Sequence, residues 1–485
     1  MTMVSEKDDS SKMAEMPVKR LMLTMGLPIV LSMMLQALYN IVDSFFLSNM
    51  AEAGEEALTA LGLAFPIQLL MIAIAVGTGV GTNALLSKSL GQGNKKKASR
   101  VAGNAIFMGI IIFIAFILFG IFAVKGYVNS QNTAGNISET VILMAIDYLK
   151  ICCIISPGVA FFGIFEKMLQ ATGRSMYSTI AQVTGALTNI VLDPILIYGL
   201  LGAPEMGVKG AAYATVIGQI ASTVLAVIFH FRLNVEIDHH IRNLRPSGSV
   251  LKEIYRIGLP AIISQALLTV MTYGMNIILG QMPEIGENCV TVYGLYCKVQ
   301  QLIIFAAVGM RDAITPIVSF NYGMRSQKRM KEGIRYGMIY TAVLMVIGTV
   351  VIEILAGPLT KIFSLSDITY DICVDCMRIV SLAFIMAGLA IAFQGVFQAV
   401  ECGIESLIIS LGRQVIFILP VAWAISKTVT GASDSTRIWY TFLIGEAITL
   451  LIAFLMFKRK KVQKKINIET PSAGQDLTKQ AEGIS

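Results

Sequence analysis

Long apolar stretches separated by short polar ones set the pattern of this chain. Residues 21–42 carry no charge, and neither do 58–87, 101–124, 210–229 or 257–282. A helix needs roughly 20 such residues to cross a bilayer. The pattern predicts twelve membrane-spanning helices, near 20–47, 57–87, 98–125, 140–165, 175–201, 208–232, 254–281, 288–320, 333–357, 372–400, 404–427 and 437–457. The eighth is the weakest, because it carries Lys298, Arg311 and Asp312. The fold class is an all-α polytopic membrane protein.

Composition supports that reading. Hydrophobic residues make up 55% of the chain and charged residues 14%, against about 25% in soluble domains. Mean hydropathy is +0.71. Residues 1–19 mix charges and lack a small-residue cleavage site, so they read as a tail rather than a cleaved signal peptide. Residues 458–485 form a second polar tail.

Basic residues set the expected orientation. Lys88, Lys95, Lys96, Lys97 and Arg100 follow span 2. Arg242, Arg245 and Lys252 follow span 6, and Arg325, Lys328, Arg329 and Lys331 follow span 8. The alternate loops carry Glu52, Glu55 and Glu56, or Glu284 and Glu287, without Lys or Arg beside them. Both termini are therefore expected in the cytoplasm, with the chain in the cell membrane. The net charge of +7 reflects this asymmetry and gives no reason to expect nucleic acid.

The chain repeats itself. "MGLPIVLS" at 25–32 returns as "IGLPAIIS" at 257–264, and "GNKKKASR" at 93–100 is answered by "GMRSQKRM" at 323–330. "FEKMLQATGRS" at 165–175 returns loosely from 393, and Pro194 pairs with Pro420. The offsets stay between 226 and 232 residues. Two lobes of six spans follow, 20–232 and 254–457, joined by a basic loop at 233–253. An even number of spans per lobe makes the repeats parallel, with a cavity at their interface.

The lobes differ in their acids. On this register Asp43 falls opposite Met275, Asp193 opposite Leu419, Asn189 opposite Val415 and Glu166 opposite Gln394. A charge inside a membrane costs on the order of 3 kcal/mol, so it normally faces a cavity or a partner. Asn189 and Asp193 are four residues apart and share a helix face. Pro194 and Pro28 each lack a backbone donor, which leaves the carbonyls of Ile190 and Thr24 without helical partners. Carboxylates beside freed carbonyls suit a small hard cation or a proton. The two prolines are the expected hinges. Glu166 precedes Lys167, so a local ion pair competes with a role in the cavity.

Gln36, Tyr39 and Asp43 after the Pro28 bend, Asn189 and Asp193-Pro194, and the following "GAAYAT" at 210–215 resemble the multidrug and toxic compound extrusion (MATE) family. The resemblance covers about residues 15–460. It implies a V-shaped pair of pseudo-symmetric six-helix lobes that exports lipophilic organic cations in exchange for H⁺ or Na⁺. It places the coupling site at Asp43, Asn189, Asp193 and Thr215, with Na⁺, if used, held by the first three. Gln36, Tyr39, Asn40 and Glu166 are candidates for the substrate wall. Acids that some members carry in the C-lobe have no counterpart within 257–282 or 379–400. A monomer is expected, with no organic cofactor and no enzymatic activity.

Weaker signals add little. "GTGVGT" at 77–82 lies in mid-span without a preceding strand, and reads as small-residue helix packing. No G-x-x-x-x-G-K-[ST] motif is present, so ATP is not the expected direct driver. Cys373 and Cys376 have no matching pair and no nearby His. Met33 and Met34 offer adaptable walls. Phe161, Phe162, Tyr273 and Tyr296 are candidates for cation–π contacts. A lipid-linked oligosaccharide flippase is the alternative reading, and it calls for a strongly basic cavity. A receptor or scaffold would need neither the duplication nor the acids.

Overall fold

The computed structural model describes residues 9–48, 50, 54–131, 138–155, 157–361 and 367–467. Span 1 is Val18–Ser48, span 2 Gly54–Gly91, span 3 Lys95–Phe122, span 5 Ser175–Tyr198 and span 6 Val208–Leu233. Span 7 is Gly248–Gly280, span 8 Gly286–Gly323, span 9 Gln327–Lys361 and span 12 Thr436–Phe457. Span 4 joins Glu139–Ile154 to Pro157–Ala171 at a 48° bend, and span 10 joins Asp367–Ser381 to Phe384–Ala399 at 47°. Span 11 runs through Gly403–Leu411, a π turn at Gly412–Ile416, and Ile418–Ser426. Among the described residues, ten helices are long and apolar enough to cross a membrane, and up to twelve spans result when each bent pair counts as one. No strand occurs among the described residues.

The matching bends in spans 4 and 10 mark the internal duplication in the backbone itself. Pro157 opens the second half of span 4, where a missing N–H costs nothing. Pro28 and Pro194 both lie inside unbroken helices. The broken spans are 4 and 10, rather than those carrying the two expected hinge prolines. Pro420 has a clearer local effect. It frees the carbonyl of Ile416, the last residue of the π turn, where Phe417 N–H reaches back to the Gly412 carbonyl at 3.2 Å.

The lobes are closed against each other at the end of the bundle that carries the basic loops. Val18, Leu21, Met22, Met25, Ile29 and Val30, from the first turns of span 1, are buried in the C-lobe core. Leu47, at its other end, belongs to an N-lobe core with Ala57 and Tyr148. Span 1 thus leaves one core and enters the other.

Glycines allow the contact. A Cβ at Gly77 would sit 2.8 Å from the Ile262 nitrogen, and one at Gly81 would collide with the Ile254 carbonyl. Gly91 meets the Phe320 carbonyl and Gly323 meets that of Lys88, again with no room for a Cβ. The "GTGVGT" stretch therefore packs span 2 against span 7, and through Gly79 against Gly163 of span 4. Lys88 and Glu401 add an ion pair across the lobes at 2.6 Å.

Candidate functional site

Span 5 presents a polar face on an otherwise apolar helix. Gln182, Asn189 and Asp193 recur at helical spacing, and all three are buried. Asn189 Nδ2 donates to Asp193 Oδ1 at 3.1 Å. Gln182 Nε2 donates to Gln36 Oε1 at 2.8 Å, which ties span 5 to span 1. Tyr198 Oη donates to the Phe46 carbonyl at 2.5 Å. Span 1 therefore runs beside span 5 from Gln36 to Phe46, the stretch that contains Asp43. The side chains of Tyr39, Asn40 and Asp43 themselves lie outside the described residues.

Spans 5 and 6 touch through glycine. A Cβ at Gly218 would sit 2.7 Å from the Gly185 carbonyl and 3.1 Å from Asn189 Cβ. This close approach brings Thr215 and Gln219 beside Asn189 on the wall of one cavity. The cavity has a volume of about 120 Å³. Its wall takes Met33 and Gln36 from span 1, Phe162, Glu166 and Lys167 from span 4, and Gln182 and Asn189 from span 5. From Gln182 to Asn189 it follows span 5 for about 10 Å, at 1.5 Å rise per residue. Asp193 lies outside the cavity wall and is linked to it through the Asn189 amide.

The floor of this cavity is an ion network that crosses between the lobes. Lys167 Nζ donates to Asp312 Oδ2 of span 8 at 2.7 Å, and to Gln170 Oε1 at 3.1 Å. It stands 3.5 Å from Glu166 Oε1, which also accepts from Gln170 Nε2 at 2.8 Å. Arg311 Nε donates to Asp312 Oδ1 at 3.0 Å. The Lys167 side chain is 1% exposed and that of Asp312 4%. Two ions this deep lose several kcal/mol of hydration each, so the network holds only because every charge meets an opposite one.

Comparison with known proteins places this arrangement. The family model MatE matches residues 28–195 and again 260–424. The chain belongs to the MatE family. The two matched segments fall one in each six-span lobe. Multidrug export protein MepA of Staphylococcus aureus (strain MRSA252) is 24% identical over 442 residues, which is 91% of this chain and 93% of that protein. The MepA of Staphylococcus saprophyticus subsp. saprophyticus is 25% identical over 447 residues, covering 91% and 95%. A multidrug resistance MATE family transporter of the MOP superfamily, solved in an outward-facing conformation, matches this MatE chain with a TM-score of 0.87. It is 23% identical over 95% of this chain and 99% of its own. A MATE structure in complex with MaL6 matches at 0.86, with 24% identity and the same coverage. At these identities the solved structures show the fold.

Of the residues expected from the sequence, this MatE fold joins Asn189 to Asp193 and sets Gln36, Glu166 and Thr215 on one cavity wall. Glu166 lines the cavity and also stands beside Lys167. Among the candidate aromatic residues, Phe162 lines the cavity. Phe161 packs on Phe113 and Phe165, Tyr296 is buried in the C-lobe, and Tyr273 is 70% exposed. Lys298 is exposed.

Sequence reasoning missed Gln182, Gln219, and the pairing of Lys167 with Asp312. Gln182 had a readable signal, since it lies two helical turns before Asn189 on the same face. The Lys167–Asp312 pair had none beyond two opposite charges in apolar spans, 145 residues apart.

Proposed function

We propose that this chain is a secondary multidrug exporter that moves lipophilic organic cations outward in exchange for H⁺ or Na⁺. One observation carries the reading. A buried carboxylate, Asp193, is linked through Asn189 to the wall of a cavity of about 120 Å³ lined by amides, hydroxyls and apolar groups, with the Glu166–Lys167 pair at one end. A delocalised cation loses little hydration on entering such a wall, and a carboxylate close by offsets its charge. The MepA relatives are multidrug export proteins, which supports the same reading.

The basic end is the cytoplasmic one in this proposal, and the Lys167–Asp312 network is its closed gate. The cavity then faces the outside of the cell. Asp43, Asn189, Asp193 and Thr215 form the coupling site. An ion arriving from outside neutralises the carboxylates, weakens the hold on the organic cation and releases it outward. Linkage makes the effect reciprocal: bound drug weakens ion binding by the same factor. The flippase alternative is not favoured. Lys167, the one base on the cavity wall among the described residues, is already matched by Asp312 and Glu166.

Efflux from proteoliposomes tests the proposal, with a pH gradient and a Na⁺ gradient imposed separately. Organic-cation movement driven by one of the two is the expected result. Movement under neither would overturn the proposal.

A further inference from the structure

The loop between the lobes is bolted to span 3. Asn104, fully buried, turns its Nδ2 toward three backbone carbonyls: Arg100 at 2.9 Å, Arg245 at 3.3 Å and Asn243 at 3.4 Å. Its Oδ1 accepts from Ser247 N–H at 2.7 Å. One turn earlier, Ser99 Oγ accepts from Asp238 N–H at 2.8 Å. Between them Gly103 lies so close to the Asn243 carbonyl that a Cβ would not fit.

Three arginines leave this clamp together. Arg100 and Arg245 start beside one another, because their carbonyls meet the same nitrogen. Arg242 joins them through the short 3₁₀ turn Ile241–Leu244, which Arg245 N–H closes on the Arg242 carbonyl at 3.3 Å. Such a turn sets residues three apart over one another. All three arginines are exposed. The acids of the loop are committed elsewhere. Glu236 holds Arg174 at 2.9 Å and Glu253 holds Lys97 at 2.7 Å. Asp238 accepts from His240 N–H at 3.0 Å and from Asn243 Nδ2 at 3.3 Å. Among the described residues, no carboxylate meets Arg100, Arg242 or Arg245. Guanidinium groups so placed repel each other, and their planar forks match the oxygens of a phosphate.

The height of the cluster says where that phosphate comes from. Arg100 directly precedes the uncharged run 101–124, so the clamp sits where span 3 enters the hydrocarbon. On the same loop Val235 and Ile241 are 73% and 75% exposed. Exposed apolar side chains and unpaired arginines at one level suit the edge of a bilayer, where phosphates lie beside acyl chains.

We propose that Arg100, Arg242 and Arg245 bind the phosphate of an anionic phospholipid headgroup, with Ile241 seated against its acyl chains. The bound lipid anchors the interlobe loop, together with span 3, at the membrane surface. Neither the exported molecule nor the coupling ion takes part in this binding.

The test uses the full chain in nanodiscs of equal parts phosphatidylglycerol and phosphatidylcholine. Ile241→Trp supplies a probe beside the site, in a Trp423→Phe background; the other tryptophan, Trp439, is buried. One lipid or the other carries bromine on its acyl chains, which quenches a tryptophan that it touches. Brominated phosphatidylglycerol is expected to quench about threefold more than brominated phosphatidylcholine at the same overall composition. Arg100→Gln, Arg242→Gln and Arg245→Gln together should remove that preference. Arg459→Gln, Lys460→Gln and Lys464→Gln remove the same charge elsewhere at the basic end and should leave it unchanged. If the first triple variant does not fold, Arg242→Gln alone should still lower the preference. Equal quenching by the two lipids before any arginine is changed would overturn the proposal. So would a preference that survives loss of the three arginines, or one lost equally in the second triple variant. A preference abolished by inorganic phosphate, and not by chloride at equal ionic strength, would assign the cluster to a free anion and overturn the lipid as its ligand.

Discussion

The two lobes share one architecture and treat their buried acids differently. In the C-lobe each buried acid among the described residues meets a base. Asp312 is held by Arg311 and Lys167. Glu446 takes a two-pronged contact from Arg413, at 2.8 Å and 2.9 Å. Glu405 accepts from Lys461 at 2.7 Å. In the N-lobe Glu166 likewise meets Lys167, whereas the described hydrogen bond of Asp193 comes from a neutral amide. The helices that carry these groups differ too. Span 5 runs as continuous α-helix past Asn189 and Pro194, whereas span 11 has a π turn where Asn189 would fall. At the position matching Glu166 stands Gln394, which donates to Ser410 Oγ at 2.9 Å. Glu446, matched by a base on another helix of its own lobe, is a structural charge. A carboxylate set among amides can bind and release a cation without breaking the fold.

The sharpest way to break this comparison is to neutralise the N-lobe acid. Asp193→Asn is expected to abolish ion-coupled efflux and to remove the dependence of drug affinity on pH or Na⁺, with the protein still folded. Asp43→Asn should act alike if both acids serve one site. Drug affinity titrated against pH and Na⁺ in wild type and variant decides it, and an unchanged ion dependence rules out Asp193 as the coupling acid. The matching C-lobe experiment is Glu446→Gln. It strips Arg413 of its buried counter-ion and should cost about 3 kcal/mol of stability. Thermal unfolding in detergent reads that loss. Ion dependence of drug binding should be unchanged in the same variant.

Much of the fold was legible because the bilayer imposes a length. Each of the twelve expected spans lies on a helix or bent helix pair of nearly the same bounds, and the repeat register anticipated that spans 4 and 10 would correspond. The Asn189–Asp193 contact was legible because four residues bring side chains onto one face. The partner of Lys167 was not, since it depends on how span 4 meets span 8 across the lobes. Pro28 and Pro194 were expected as hinges because a missing N–H weakens a helix. Both helices run continuously through these positions, while the breaks already present lie in spans 4 and 10.

A smaller effect is expected from Asp312→Asn, which leaves Lys167 with Glu166 as its charged partner, 3.5 Å away. The interlobe contact weakens while the glycine-mediated packing of span 2 on spans 7 and 8 persists. The expected outcome is a several-fold shift toward opening at the basic end, without loss of the ion-binding site. Pairs of spin labels across spans 4 and 8 at that end would report longer distances. Distances that match the wild type would show that the glycine contacts alone hold the lobes closed.

The smallest effect, and the one that most sharpens the contrast between lobes, is expected at Glu353 in span 9. It is half-buried, and its Oε1 accepts the Ser381 hydroxyl at 2.8 Å. Like Asp193, it is an acid within a span whose described partner is neutral. One difference sets it apart: the amide-lined cavity of the N-lobe does not include it. Glu353→Gln keeps an oxygen for Ser381 and removes only the charge. Stability should move by no more than about 0.5 kcal/mol. The number of ions exchanged per drug molecule, measured from reversal potentials in proteoliposomes, should stay as in the wild type. A changed stoichiometry would mean that a carboxylate facing a neutral partner suffices for coupling in either lobe. The amide-lined cavity beside Asp193 would then not be what distinguishes them.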